Sequence, residues 1–314
     1  MTQTPQADPI EVFDRRAVRA HRERAAARFG AHDFLIETIA AHLAGRLDDI
    51  KRTFPAALDL GCHGGQMAAH LAGRAGIDTL IQSDLSPAMA RRARERFAAT
   101  AATAAIAADE EWLPFAPHSF DLVISCLSLH WVNDLPGTLA QIRRTLKPDG
   151  LFLAALLGGE TLKELRQTLN EAEIAEEGGL SPRVSPFADV RDAGNLLQRA
   201  GFTLPVADLD TLTVSYPHAL KLMADLRGMG ESNAVAERRK RFSRRGTIMR
   251  AAARYLDLFG DGEGRVPATF QVVYLTAWTP HPDQQKPLKP GSAEARLANA
   301  LDSREIAAGD KAKP

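Results

Sequence analysis

The sequence has few cysteines, no net charge and no long apolar run. Only Cys62 and Cys126 occur among the 314 residues, far apart and without metal-ligand spacing, so we expect free thiols, no resident metal and a reducing compartment. Basic and acidic residues number 39 each, so no overall field favours nucleic acid. No run approaches the roughly 18 apolar residues of a membrane span, and the first residues lack a secretory or transit pattern. We therefore expect a cytoplasmic protein without a transmembrane segment.

Apolar runs alternate with helical segments through the first half of the chain. This alternation is typical of a parallel sheet with crossover helices. Two more strands are predicted near 210–215 and 269–278. The sequence therefore predicts an α/β fold with a mostly parallel, seven-stranded sheet flanked by helices. The five earlier runs are AALDL (56–60), TLIQSD (79–84), AAIAAD (104–109), FDLVISCL (120–127) and LFLAALL (151–157).

Three regions are predicted from the patterns outside this core. Residues 1–50 form an N-terminal helical extension, with helices near 13–30 and 34–47. Residues 51–280 form the main domain, and inserted helices at about 217–260 are expected to cap its active site. The tail, residues 281–314, is rich in proline, alanine and charge and has no bulky apolar side chains, so we expect it to be disordered.

A glycine-rich segment, LDLGCHGG (58–65), ends the first strand and begins a helix. Its glycines let the backbone turn tightly and approach a ligand closely. Asp84 ends the second strand, where a carboxylate can accept hydrogen bonds from both hydroxyls of a ribose. The dinucleotide pattern G-x-G-x-x-G, started at Gly61, fails at His63 and Gln66. The residues thus predict a nucleoside-type ligand but disfavour a dinucleotide.

An acidic residue two positions before the first glycine, here Asp59, is instead the pattern of methyltransferases that use S-adenosyl-L-methionine (SAM). DEEWLPF (109–115) after the third strand and FDLV (120–123) at the start of the fourth complete four motifs in the expected order. The core from 56 to 157 therefore resembles a class I SAM-dependent methyltransferase, which has a Rossmann-like fold. The resemblance implies SAM as the cofactor.

The same resemblance implies roles for single residues. The Gly61 to Gly65 backbone would hold the methionine part of SAM, Asp84 the ribose, and Asp109 with the amide of Glu110 the adenine. Leu85 and Met89 would contact the adenine ring. His63 stands where the family usually has its second glycine, and we expect its imidazole to point outward. The complete set of predicted cofactor-binding residues is Asp59, Gly61, Cys62, His63, Gly65, Asp84, Leu85, Met89, Asp109, Glu110 and Ser125.

The chain as a whole resembles the complex I assembly factor 5 family. This resemblance implies a protein substrate, a NADH dehydrogenase subunit, with methylation or arginine hydroxylation as the reaction. The mitochondrial member is described as an arginine hydroxylase. No nucleic-acid partner is expected, and peripheral membrane association stays open. The motifs are FDR (13–15), SLHWVNDLP (128–136), GGETL (158–162), GGLSP (178–182), SPF (185–187), GMGESN (228–233), VPATFQ (266–271) and GSA (291–293).

His130 is the candidate catalytic or substrate-orienting residue, because it follows the fourth strand, where class I enzymes place groups that face the methyl donor. Hydroxylation needs an oxidant, usually at an iron site of two histidines and a carboxylate or at a flavin, and the scattered histidines show no such pattern. Methyl transfer needs little beyond alignment of a nucleophile with the methyl group. The residues leave the two reactions open.

Two alternative functions remain. A second resemblance, confined to the core, is to the enzymes that methylate the carboxyl of malonyl-acyl carrier protein in biotin synthesis. It would give the basic run ERRKRFSRR (237–245) a partner, because acyl carrier proteins are acidic. The same run could instead be a solvated helix face and helix start. The other alternative is a non-catalytic assembly chaperone that uses SAM only for stability.

Overall fold

A single seven-stranded sheet lies at the centre of the computed structural model, which describes residues 11–96, 103–187, 189–285 and 297–304. The strands are β1 (Ala56–Leu60), β2 (Thr79–Asp84), β3 (Thr103–Ala107), β4 (Phe120–Cys126), β5 (Leu146–Leu157), β6 (Thr203–Tyr216) and β7 (Val266–Trp278). Their spatial order is β3-β2-β1-β4-β5-β7-β6.

Strands β1 to β5 run in parallel, and β7 runs antiparallel to both β5 and β6. The strand order reverses between β1 and β4. In open α/β sheets, ligands bind at such a point, beyond the carboxyl ends of the strands. The topology therefore places the candidate site where β1, β2 and β4 end.

Helices of the unit that ends at Pro280 pack on the two faces of the sheet, and their ends follow local sequence signals. α1 begins after Asp14, whose carboxylate accepts a hydrogen bond from the Ala17 amide. α6 ends at Gly178, which adopts a left-handed conformation (φ +68°). The α-helices are α1 (Arg15–Ala26), α2 (Phe34–Gly45), α3 (Gln66–Leu71), α4 (Pro87–Arg96), α5 (Leu135–Thr145), α6 (Lys163–Glu177), α7 (Val190–Arg199), α8 (Ala219–Met229), α9 (Arg245–Phe259) and α10 (Leu297–Ala300).

The hydrophobic core lies on both faces of the sheet. On one face, Ile39 and Leu43 of α2 pack with Ile124 of β4 in the larger cluster. On the other face, Leu58 and Phe152 belong to a second cluster. The central strands are buried on both faces, which explains their continuous apolar runs. Because α2 contributes to the larger cluster, the predicted N-terminal extension shares its core with the sheet.

The predicted α/β fold with a mostly parallel seven-stranded sheet is confirmed. β1 and β2 have the predicted bounds, whereas β3 ends at Ala107, before the predicted Asp109. β6 is longer than predicted because it pairs with β7 over most of its length. Helices α8 and α9 lie between these two strands, as expected of the inserted region.

Residues up to Pro280 form one unit and those from His281 a second. The second unit contains the short helix α10, which the prediction of a disordered tail did not include. Residues 286–296 and 305–314 lie outside the described residues, as does the GSA motif (291–293). Disorder of those segments stays a prediction. Within the described ranges, every helix is too short or too polar to cross a membrane.

Candidate active site: a carboxylate cleft and an adjoining cavity

The glycine turn after β1 forms one wall of the cleft. Gly61 (φ +75°) and Gly65 (φ +84°) adopt left-handed conformations that favour glycine. The amides of Gly61 and Cys62 donate to the Ser83 carbonyl at 2.8 and 2.9 Å, which ties the turn to the end of β2. A Cβ atom on Gly61 would overlap the Ser128 side chain. Glycine is therefore required here for conformation and for space.

The cleft is lined by carboxylates at the ends of β2 and β3. Asp84 is fully buried; its Oδ1 accepts a hydrogen bond from the Ser86 amide at 2.8 Å and its Oδ2 one from the His63 amide at 3.0 Å. Glu110, also buried, accepts a hydrogen bond from Ser128 Oγ at 2.6 Å. Asp109 accepts one from the Glu111 amide. The structure thus brings together the acids that the sequence predicted at these strand ends.

Arg22 of α1 enters the cleft and contacts these acids. Its Nη1 lies 2.9 Å from Glu110 Oε1 and 3.4 Å from Asp84 Oδ2, and its Nη2 donates to Ser128 Oγ at 2.8 Å. The Arg22 side chain is fully buried. Burial alone would raise the pKa of Glu110, but the guanidinium groups of Arg22 and Arg15 lower this pKa well below its usual range. Glu110 is therefore an ionised carboxylate paired with arginine inside the cleft.

Arg15, two turns before Arg22 on α1, reaches the outer part of the same cluster. Its Nη2 contacts Asp109 Oδ1 at 2.5 Å and also Glu110 Oε2, and its Nη1 donates to the Trp131 carbonyl at 3.3 Å. Neither arginine was predicted from the sequence as a site residue. Arg15 and Arg22 are seven residues apart, so they lie on one face of the helix. This helical spacing was the sequence signal that could have identified them.

The acceptors in the cleft suit a ribose and an adenine in their chemistry. Asp84 Oδ1 accepts one hydrogen bond among the described residues, so a lone pair remains for a hydroxyl donor. Arg22 Nη1 and Ser128 Oγ both bond to Glu110 Oε1, and Ser128 lies against Gly61. A ribose hydroxyl bound to Asp84 would therefore lie beside the Arg22 guanidinium, whose Nη1 is 3.4 Å from Asp84 Oδ2.

His63 does not point outward, so that prediction is wrong. Its ring is buried, its Nε2 lies 3.1 Å from the carbonyl oxygens of both Cys126 and Leu127, and it stacks on Phe29 with the ring centroids 5.8 Å apart. Burial first, and then the nearby Arg22, lower the pKa of His63, which favours the neutral ring with its proton on Nε2. The imidazole fills the space behind the turn because two carbonyls accept its proton and an aromatic ring covers it.

Asp59 lies beneath the turn, fully buried in β1. Its carboxyl oxygens accept no hydrogen bond from any part of the chain that the structure describes. Burial, followed by repulsion from Asp84, raises the pKa of Asp59 to about 8. The carboxyl is therefore largely protonated at neutral pH.

The other predicted cofactor residues lie around the cleft without joining the carboxylate cluster. Cys62 is buried and unpaired, and Cys126 is likewise a free thiol, as predicted. Met89 is buried in the larger core cluster, whereas Leu85 packs against a small third cluster. Ser125 Oγ donates to the Leu60 carbonyl at 2.7 Å and so joins β4 to β1.

A cavity of about 710 Å³ lies beyond the carboxyl ends of β4 and β5. Leu127 and Trp131 follow β4, Leu157 ends β5, and all three line the cavity. Helix α1 borders both spaces, since its His21 lines the cavity while its Arg22 reaches the carboxylates. The inserted region contributes to the cavity wall through residues of α8, between Met223 and Met229, and through Ile248 near the start of α9. The inserted helices therefore line this cavity, and their role as a cap over an active site stays a prediction.

Glu231 is an acidic side chain in the cavity wall, and no role was predicted for it from the sequence. Its Oε2 accepts hydrogen bonds from Trp131 Nε1 at 2.9 Å and His130 Nε2 at 3.1 Å. His130, the predicted catalytic residue, packs edge-on against Phe187. His130 therefore lies behind Glu231, which lines the cavity in its place. The GMGESN motif, which contains Glu231, was the sequence signal that could have identified it. The motif was used only as support for the family resemblance.

The sheet order, the glycine turn and the acids that follow β2 and β3 define a class I SAM-dependent methyltransferase domain. Residues 58–154 match the family model of a methyltransferase domain. Two solved structures share this fold. The YcgJ protein of Bacillus subtilis superimposes with a TM-score of 0.54 at 14% identity, covering 76% of this chain and 99% of that one. The SAM complex of phosphoethanolamine N-methyltransferase 2 from Haemonchus contortus gives 0.52 at 18% identity, covering 84% and 60%.

The chain belongs to the arginine-hydroxylase NDUFAF5 family. It is 44% identical to the Danio rerio member over 92% of this chain and 89% of that protein, and 44% identical to the Homo sapiens member over 90% and 81%. SAM is the cofactor of this class of methyltransferase-like enzyme.

A malonyl-[acyl-carrier protein] O-methyltransferase from a Methylovorus species is also similar. It is 34% identical over 86% of this chain and 90% of that protein. The prediction that this resemblance is confined to the core is therefore wrong.

Proposed function

We propose that this chain is a SAM-dependent enzyme that modifies an arginine side chain of a protein substrate, a subunit of respiratory NADH dehydrogenase. The observation that carries the proposal is the cavity beside the carboxylate cleft. A side chain inserted there would reach the space next to the cofactor, as alignment of two reactants requires. The substrate residue is taken from the arginine-hydroxylase relatives.

In this proposal the two spaces have separate tasks. The cleft holds SAM, with Asp84 as acceptor for the ribose, Asp109 with the Glu110 amide for the adenine, and the turn from Gly61 to Gly65 beside the methionine part. The cavity holds the substrate side chain against Trp131 and neighbouring apolar groups. Helix α1 borders both spaces, because His21 lines the cavity and Arg22 contacts the carboxylates of the cleft.

The test is the mass of the candidate dehydrogenase subunit after incubation with the purified protein and SAM, with and without an added oxidant. Methyl transfer adds one methyl group in place of a proton and converts SAM to S-adenosylhomocysteine. Hydroxylation adds one oxygen atom. Tandem mass spectrometry should locate the gain on an arginine, and an unchanged subunit under both conditions would contradict the proposal. A non-catalytic chaperone predicts unchanged mass and rescue of a deletion strain by Asp84→Ala.

A second candidate, carboxyl methylation of malonyl-acyl carrier protein, is favoured by the charge at the cavity mouth. Arg24, Arg227 and Arg241 line the cavity and form no ion pair with any described residue. An acidic carrier protein would complement them. Methylation of malonyl-acyl carrier protein, together with rescue of a biotin auxotroph, would favour this candidate. The arginine-hydroxylase relatives are more similar, so we place it second.

We propose a cytoplasmic location and leave membrane association to direct measurement. Support comes from Cys62 and Cys126, which are both buried free thiols, as is usual in a reducing compartment. The arginine-hydroxylase relatives named above are mitochondrial. Fractionation of cells expressing the tagged full chain tests the location: recovery in the soluble fraction is expected, and recovery in an organelle would contradict it.

A further inference from the structure

Glu231 is held rigidly by the elements on both sides of it. Gly230 ends α8 in a left-handed conformation (φ +84°), and the Glu231 amide donates to the Leu226 carbonyl at 2.9 Å. The position of a Cβ atom on Gly230 lies 3.4 Å from Arg22 Cα, so the backbone here packs closely on α1. The side chain is therefore presented from a fixed backbone rather than from a free loop.

The carboxylate of Glu231 uses only one of its two oxygens in these contacts. Oε2 accepts from both Trp131 Nε1 and His130 Nε2, which fixes the plane of the carboxylate. Oε1 is buried and accepts no hydrogen bond from the residues that the structure describes. The side chain is only 10% exposed and lines the cavity. A buried acceptor in a fixed orientation destabilises the folded protein unless a hydrogen-bond donor meets it.

The charge state of this carboxylate indicates what kind of donor it needs. Burial would raise the pKa of Glu231, but the hydrogen bond and charge of His130, together with Arg22, lower it. The group is thus an anion. Among the described residues, the guanidinium of Arg22 donates to Asp84, Glu110 and Ser128, and Oε1 of Glu231 accepts no hydrogen bond. Oε1 of Glu231 is therefore suited to a cationic hydrogen-bond donor supplied by a ligand.

We propose that Glu231 Oε1 accepts a hydrogen bond from the guanidinium group of the substrate arginine, with His130 and Trp131 as positioning residues. This inference rests on the proposed function. A guanidinium group offers planar N–H donors to a carboxylate, and its methylene stem packs on apolar walls such as Leu127 and Met223. A carboxylate substrate such as a malonyl group would instead meet a like charge at this position.

The mouth of the cavity adds a condition on the segment that carries the arginine. Burial lowers the pKa of Arg24, and the nearby charge of Arg227 lowers it further. Both line the cavity. Acidic residues beside the substrate arginine would therefore be attracted to the mouth while the guanidinium group enters. The probe for a binding test is accordingly a short acidic peptide with one central arginine.

The experiment measures binding of this peptide by calorimetry, in the presence of SAM, to the wild type and to Glu231→Gln. Matched peptides carry citrulline, a neutral isostere, or lysine in place of the arginine. We expect Glu231→Gln to weaken binding of the arginine peptide about tenfold to a hundredfold, as loss of a charge-assisted hydrogen bond implies. Binding of the citrulline peptide should be weak and equal in both proteins. Glu237→Gln, which changes an exposed acid on the same segment, should bind like the wild type.

His130 is tested by rescue. His130→Gln retains an N–H donor for Glu231 and should keep most of the affinity, whereas His130→Ala should lose it. Thermal unfolding and SAM binding of each variant show that the fold is intact. If Glu231→Gln binds the arginine peptide as tightly as the wild type, or if the wild type does not prefer arginine to citrulline and lysine, the inference is overturned. A modified subunit arginine in the mass experiment would leave the proposed function standing even then.

Discussion

Arg22 Nη1 and Glu110 Oε1 lie 2.9 Å apart, and neither side chain is exposed to solvent. The two residues are 88 positions apart in sequence. Their ion pair joins the N-terminal helix to the end of β3, in the cleft that we propose as the cofactor site. The N-terminal segment is therefore part of the site itself.

Replacing Arg22 should destabilise the protein. Arg22→Met keeps the length of the side chain but leaves Glu110 and Asp84 without this partner, and breaking a buried ion pair costs about 3–5 kcal/mol. Urea denaturation measures the change in the free energy of unfolding. Arg19→Met, at an exposed position of the same helix, should change it by less than about 0.5 kcal/mol. Equal effects of the two variants would show that the buried pair contributes nothing specific.

The glycine turn gives a prediction with an internal control. Gly61 and Gly73 have nearly the same backbone conformation, φ +75° and +72°, but only Gly61 faces a neighbour, the Ser128 side chain. Gly73→Ala should cost about 1–2 kcal/mol for the left-handed conformation alone. Gly61→Ala should cost several kcal/mol more in urea denaturation, because its Cβ overlaps Ser128.

The variant Ser128→Gly distinguishes the steric cost of Gly61→Ala from its conformational cost. Introduced into the Gly61→Ala background, it removes the overlapping atoms and should recover part of the lost stability. Introduced alone, it should destabilise, because Ser128 Oγ bonds to Glu110 and Arg22. Purely additive effects of the two substitutions would refute steric overlap as the cause.

Asp59 should make stability fall as the pH rises. Its pKa is about 8 in the folded protein and about 3.9 in an unfolded chain. Between these values the folded state binds more protons than the unfolded state, so this carboxyl stabilises fully below about pH 4 and loses that contribution as the pH approaches 8.

Asp59→Asn tests this dependence because it keeps the shape and removes the titration. The free energy of unfolding of the wild type minus that of Asp59→Asn should decrease between pH 5 and 8, by at most about 1.4 kcal/mol per pH unit. Other titrating groups are common to both proteins and cancel in the difference. A difference that stays constant over this range, or one that rises, would show that Asp59 is ionised in the folded protein.

The sequence predicted most of the fold because its signals are local. The continuous apolar run of β1 and the carboxylate at the end of β2 follow from burial on both faces and from the position of a ligand site in a parallel sheet. Both strands have the predicted bounds. The family resemblance then supplied the cofactor.

The site contacts could not be predicted in the same way, because they depend on packing between distant segments. Nothing local shows that Arg22 meets Glu110, or that Glu231 meets Trp131, 100 positions away. His63 illustrates the same limit. Its burial depends on the carbonyls of Cys126 and Leu127 and on the Phe29 ring, and none of these is near it in sequence.

Binding of SAM to the cleft is the claim on which the other proposals depend, and calorimetric titration with wild type, Asp84→Asn and Asp78→Asn tests it most directly. Asp78 is exposed just before β2, so its variant controls for loss of charge. We expect one SAM per chain, unchanged binding to Asp78→Asn, and binding to Asp84→Asn weakened about tenfold to a hundredfold. No binding to the wild type, or equal binding to a folded Asp84→Asn, would contradict the account.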